Sequence, residues 1–155
     1  MTTKREAVTV LLADDDPDDR MLVEEAFGEI DSSYDLRFVD DGEELMDYLR
    51  REGRFTEEAA PKPALILLDL NMPKKDGREA ACEIKADPAL RRIPIVVLTT
   101  STSEEDVLHT YGVGVNSFVS KPVTFEGMLA LAREVSTFWI ETIDLPPSPS
   151  EPEDG

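Results

Sequence analysis

The chain is poor in the residues that carry redox, metal-cluster and stacking chemistry. It has one cysteine, Cys82, one histidine, His109, and only 6% aromatic residues. A lone thiol closes no internal disulfide, and the N-terminus does not combine a positive region with an apolar run and a cleavage site. Both absences point to a reducing compartment, the cytoplasm. A single imidazole without companion thiols makes no zinc site, so His109 is expected on the surface of a short helix. The longest aliphatic runs, Ala64 to Leu68 and Ile95 to Leu98, fall far short of the roughly 20 residues of a spanning helix, so no membrane crossing is expected. Basic side chains are also scarce: 16 Lys and Arg face 34 Asp and Glu, a formal net charge of −18. Such a field repels nucleic-acid phosphates and anionic lipid surfaces. Cations and basic protein surfaces are the partners that fit it.

What is present is enough apolar material for one core. At 155 residues and 41% hydrophobic, the chain has the size of a single domain and buries about two thirds of its unfolded surface. Val8 to Ala13, Leu36 to Val39, Ala64 to Leu68, Ile95 to Leu98 and Ser117 to Val119 read as five short strands. Stretches of helical period alternate with them, at about 17–30, 43–53, 77–87, 104–111 and 125–142. Strands that are aliphatic throughout indicate a parallel sheet covered on both faces. The expectation is a doubly wound (βα)5 flavodoxin-like sandwich with strand order 2-1-3-4-5. Residues 1–6 read as a tail and 7–145 as the domain. Residues 146–155, with four prolines, three acids and no apolar side chain, read as a disordered acidic tail.

Local signals agree with this rhythm. Asp16 reads as the N-cap of the first helix, with Pro17 at the first helical position, where its missing N–H costs nothing. Leu22, Val23, Ala26, Phe27 and Ile30 supply one apolar face. Thr102 with Glu105, or Ser103 with Asp106, caps the fourth helix, and Gly114 follows it as a stop. Cys82 falls among apolar positions of the third helix and reads as core.

Ligands of open α/β sheets bind beyond the carboxyl ends of the strands, and those ends carry the polar residues here. The first strand runs into Asp14, Asp15 and Asp16, the third ends at Asp69, the fourth at Thr99, and the fifth reaches Lys121 just before Pro122. In the order 2-1-3-4-5 the first and third strands are adjacent, about 5 Å apart. Three carboxylates there repel one another, by about 4 kcal/mol for a pair at 4 Å in a surface-like dielectric. A divalent cation relieves the repulsion, and a few hard oxygen ligands suit Mg²⁺. Thr99 is one strand from Asp69. Lys121 is two strands away, about 10 Å, a span for a long side chain. An aspartate nucleophile, a charge-neutralising metal, a hydroxyl donor and a lysine are the parts that phosphoryl transfer needs.

At this point the sequence resembles the receiver domain of bacterial response regulators. The matching segments are Leu11-Leu12-Ala13-Asp14-Asp15-Asp16-Pro17, Leu67 to Pro73 with Asp76-Gly77, Val97-Leu98-Thr99 and Phe118-Val119-Ser120-Lys121-Pro122. The resemblance implies that Asp69 accepts a phosphoryl group from a sensor histidine kinase in two-component signalling. It implies that Asp14, Asp15, Asp69 and the backbone carbonyl of Asn71 hold Mg²⁺, with Mn²⁺ or Ca²⁺ as substitutes. Thr99 and Lys121 would contact the phosphoryl group, and Thr99 with Phe118 would form the switch, Phe118 lacking the hydroxyl of a tyrosine. With no output segment after the last helix, the expected protein is a stand-alone, non-enzymatic phosphoacceptor. Asn116 to Pro122 and the stretch from Phe138-Trp139-Ile140 to Leu145-Pro146 resemble single-domain regulators paired with bacterial phytochrome kinases.

The same residues admit other readings. Asp16, Asp18 and Asp19 read as a solvated helix-capping run. Asp14, Asp16, Asp18 and Glu25 have calcium-loop spacing, but the glycine such a loop requires at its sixth position is Asp19 here. A phosphatase or phosphotransferase with a strand-end aspartate nucleophile is the alternative function, but such hydrolases want an acid where this chain has Asn71. Finally, Phe125, Leu129, Trp139, Ile140 and Ile143 add apolar surface to the last helix beyond its core stripe of Met128, Leu131, Val135 and Phe138, from which a homodimer interface is expected.

Overall fold

The computed structural model describes residues 8–30, 34–56, 59–70, 72, 74–75, 77–99 and 117–137. The expected helix at 104–111, His109 and the tails at 1–6 and 146–155 lie outside these residues. Five strands are formed: β1 (Thr9–Ala13), β2 (Asp35–Val39), β3 (Leu65–Asp69), β4 (Ile95–Thr99) and β5 (Ser117–Ser120). The described helices are α1 (Pro17–Ile30), α2 (Gly42–Arg50), α3 (Gly77–Ala86) and α4 (Phe125–Val135). All neighbouring strands pair in parallel, in the order β2-β1-β3-β4-β5, as the sequence predicts.

The two-residue period of the strands divides the core between the two faces of the sheet. Leu11, Ala13, Ile66, Leu68, Ile95 and Val97 pack with Leu45, Met46, Ala80, Ala81 and Ile84 of α2 and α3. Val10, Leu12, Leu65, Leu67, Val96 and Leu98 pack on the other side with Val23, Ala26 and Phe27 of α1 and Met128, Leu131, Ala132 and Val135 of α4. β1 and β3 are buried along their whole length, whereas β2 and β5 are only half-buried for most of theirs. That difference follows from their places at the centre and the edges of the sheet.

Two local expectations need correction. The second helix ends at Arg50 rather than 53, because Arg51 takes a left-handed φ of 55° and its N–H closes on the carbonyls of Asp47 and Tyr48. Cys82, read as core, is half-buried on α3. At α1 the signals hold: Asp16 Oδ1 accepts the Asp18 N–H at 2.9 Å, and Val23, Ala26 and Phe27 are its buried side; the expected caps at Thr102 or Ser103 and the stop at Gly114 lie outside the described residues.

Candidate phosphoryl-transfer site

The register builds the site before any side chain is considered. Ala13 pairs with Leu68, so Asp14 leaves β1 beside Asp69 at the end of β3. Asp69 pairs with Leu98, one residue short of Thr99. Thr99 in turn pairs with Ser120, the residue before Lys121. Four strand ends therefore deliver Asp14, Asp69, Thr99 and Lys121 to one edge, as expected.

The carboxylate oxygens of Asp14, Asp15 and Asp69 lie within 4.8 Å of one another, with Asp14 and Asp69 buried and Asp15 exposed. Lys121 crosses to them from β5: its Nζ stands 3.1 Å from Asp69 Oδ2, 3.1 Å from Asp14 Oδ2 and 2.7 Å from Asp19 Oδ2. Burial pushes the Asp14 carboxyl up to about 7, against the Asp16 N–H and the Lys121 charge, which both favour the ionised form. Burial disfavours the Lys121 ammonium. The hydrogen bond to Asp19 and the charges of Asp14 and Asp69 outweigh it, so the lysine holds its proton more firmly than a free lysine does.

The loop that carries the acids is tied down from its own helix. Asp14 Oδ1 accepts the Asp16 N–H at 2.9 Å. Arg20 Nε donates to the Asp14 carbonyl at 2.8 Å, its guanidinium pairs with Asp40, and its Cζ lies 5.5 Å above the Phe38 ring. After Asp69, Gly77 closes the next loop by donating its N–H to the Leu70 carbonyl at 3.0 Å. A Cβ on Gly77 would lie 2.5 Å from the Asp69 carbonyl oxygen, so only glycine lets α3 begin this close. Phe118 is half-buried on β5 and packs against the core on the α2 and α3 side. Asn71 lies outside the described residues, and for Thr99 the description is confined to its place on β4.

One residue of the constellation was misread in the sequence. Asp19, assigned to a solvated capping run, makes the shortest contact of Lys121. The acidic run itself holds no signal for this, since it requires knowing that the Lys121 side chain reaches the first turn of α1.

Hard carboxylate oxygens at close spacing, two of them buried, are the donor set for a small divalent cation. The Lys121 ammonium among them can pair with an anionic oxygen brought to this edge. Residues 10–133 match the response regulator receiver domain. The chain belongs to that family. Response regulator Rcp1 of Synechocystis is 42% identical over 137 residues, which cover 88% of this receiver and 92% of Rcp1. Among solved structures, the phosphorylated cyanobacterial phytochrome response regulator RcpA has a TM-score of 0.81 at 41% identity, covering 88% of this chain and 96% of its own. A response regulator in red light signaling of R. palustris has a TM-score of 0.81 at 37% identity, covering 91% and 99%. Rcp1 has also been solved in a Mn²⁺-bound form, which has a TM-score of 0.80 at 41% identity and covers 90% and 99%.

This receiver is thus a response regulator of two-component signalling, and its Asp14, Asp15 and Asp69 form a cluster that could hold a divalent cation. Its family is one of phosphoacceptors rather than enzymes turning over a separate substrate, and nothing favours the phosphatase reading. Among the described residues, no helix is long and apolar enough to cross a membrane.

Proposed function

We propose that Asp69 is the phosphoacceptor and that Asp14, Asp15, Asp69 and the backbone carbonyl of Asn71 hold the divalent cation. The observation that carries this reading is the convergence of Asp14, Asp15, Asp69 and the Lys121 ammonium at the ends of β1, β3 and β5. A carboxylate oxygen of Asp69 attacks the phosphorus of a phosphohistidine presented at this edge. The new O–P bond forms as the P–N bond breaks, and the imidazole leaves with the electron pair and takes up a proton from solvent. The cation, when bound, offsets the charge of the three carboxylates and of the phosphoryl oxygens. Lys121, long enough to cross from the edge strand, pairs with a phosphoryl oxygen. The Thr99 hydroxyl donates to another. Phosphorylation then shifts an existing equilibrium through Thr99 and Phe118, and water slowly returns Asp69 to its carboxylate.

The partner in this reading is a cytoplasmic sensor histidine kinase of the bacteriophytochrome type. The support is the similarity of the chain, over most of its length, to RcpA and to a regulator in red light signaling. Output is by protein contact, with homodimerisation through the region of the C-terminal helix. The domain limits of 7–145 and the tail of 146–155 belong to the same proposal.

The test is intact mass after incubation with acetyl phosphate and Mg²⁺. Wild type gains one phosphoryl group, which water removes slowly on standing, and D69N gains none. Rapid catalytic release of phosphate from a separate small-molecule phosphoester would instead favour a hydrolase.

A further inference from the structure

Asp19 has no part in the phosphoacceptor scheme above, yet its Oδ2 is nearer to Lys121 Nζ, at 2.7 Å, than either Asp14 or Asp69, both at 3.1 Å. An ammonium has three N–H donors and no acceptor. Among the described residues, its ion pairs are with these three carboxylates. Two of them, Asp14 and Asp69, belong to the carboxylate cluster that suits a cation, and Asp19 does not. Ammonium and cation therefore compete for the same oxygens. The Asp19 carboxylate is 17% exposed and the Lys121 side chain 10%, so their pair is shielded from water, unlike the exposed pairs that contribute little. Asp19 also sits in the first turn of α1, where the helix dipole favours its charge.

We propose that Asp19 is a positioning residue acting through Lys121: it keeps the ammonium paired while Asp14 and Asp69 turn to the cation, and keeps it within reach of the phosphoryl oxygens. The inference rests on the cation and phosphoacceptor reading above. Without Asp19 the ammonium falls back on Asp14 and Asp69, and the cation must displace it from both. Asp18 supplies an internal comparison: it is exposed, carries the same charge in the same helical turn, and is not among the ion-pair partners of Lys121.

The experiment is calorimetric titration with Mn²⁺ of wild type, D14N, D18N, D19N, D19E, K121M and the double variant D19N/K121M. D19N weakens Mn²⁺ binding about tenfold, the scale of a hydrogen bond between charged groups, and D18N changes it less than about twofold. In the K121M background the D19N effect shrinks to less than about threefold, because the coupling runs through the ammonium. D19E, which keeps the charge, recovers most of the loss. Equal effects of D18N and D19N, or a D19N effect of the same size with and without Lys121, overturn the proposal. Wild type that binds no Mn²⁺, or D14N that binds it as tightly as wild type, overturns instead the cation reading on which it stands.

Discussion

Asp14 is the residue at which burial and charge are most directly opposed. Its side chain is 2% exposed, and burial raises its carboxyl pKa from the ordinary 3.8 to about 7. The sign of the consequence follows from linkage. Between those two values the native state holds a proton that the unfolded chain has released, so this carboxyl's contribution to stability is full below about 4 and is lost as pH rises to about 7. In chelator, the urea midpoint of wild type is therefore expected to fall between pH 4.5 and 7.5. Mg²⁺ restores it at the upper end, because the ionised carboxylate is the form that binds a cation. D14N flattens the slope, which separates this group from the general repulsion of a chain at −18; an equally steep slope in D14N contradicts the assignment. Most of the site was legible in single residues: Asp14, Asp15, Asp69 and Lys121 stand together as the strand-end pattern requires. Asp19 was not legible, because one more acid in a run of acids looks like solvated surface until the fold sets Lys121 over it.

Among elements, the strands were legible because a central parallel strand has few ways of being written, and β1 and β3 are aliphatic and buried throughout. The end of α2 was less so. No residue type dictates the left-handed turn at Arg51, and helical periodicity alone runs past it. Glycines show the same limit, since their roles depend on what lies opposite. Gly28 has nothing within 4 Å of an added Cβ inside α1, whereas a Cβ on Gly77 meets the Asp69 carbonyl at 2.5 Å and Leu70 Cα at 2.7 Å. G28A is expected to stabilise the protein by about 0.5–1 kcal/mol through helix propensity. G77A is expected to destabilise it by about 1–3 kcal/mol, as overpacking does, and to slow phosphorylation by shifting the Asp69 backbone. Urea unfolding of both variants checks the pair; equal effects would show that the close approach at Gly77 carries no strain.

At the scale of the whole molecule, fold class was readable from the alternation of elements, whereas the strand order, which alternation alone does not dictate, is the assumed 2-1-3-4-5. Quaternary structure was not. Phe125 and Leu129, counted in the sequence as surplus apolar surface, are half-buried against the core on the α1 side of the sheet, so part of that surplus is spent within the chain. Trp139, Ile140 and Ile143 lie outside the described residues. If they form the contact, sedimentation at micromolar concentration gives a dimer, and W139A with I143A gives a monomer without loss of secondary structure. A wild-type monomer with and without a phosphate analogue excludes this dimer. The central claim is independent of that outcome: the edge formed by β1, β3, β4 and β5 accepts a phosphoryl group at one carboxylate. Intact mass after acetyl phosphate and Mg²⁺ tests it most directly. The account predicts a single phosphoryl adduct on wild type, absent from D69N and absent when the cation is chelated beforehand. An adduct that persists in D69N, or a wild type that takes none, would contradict it.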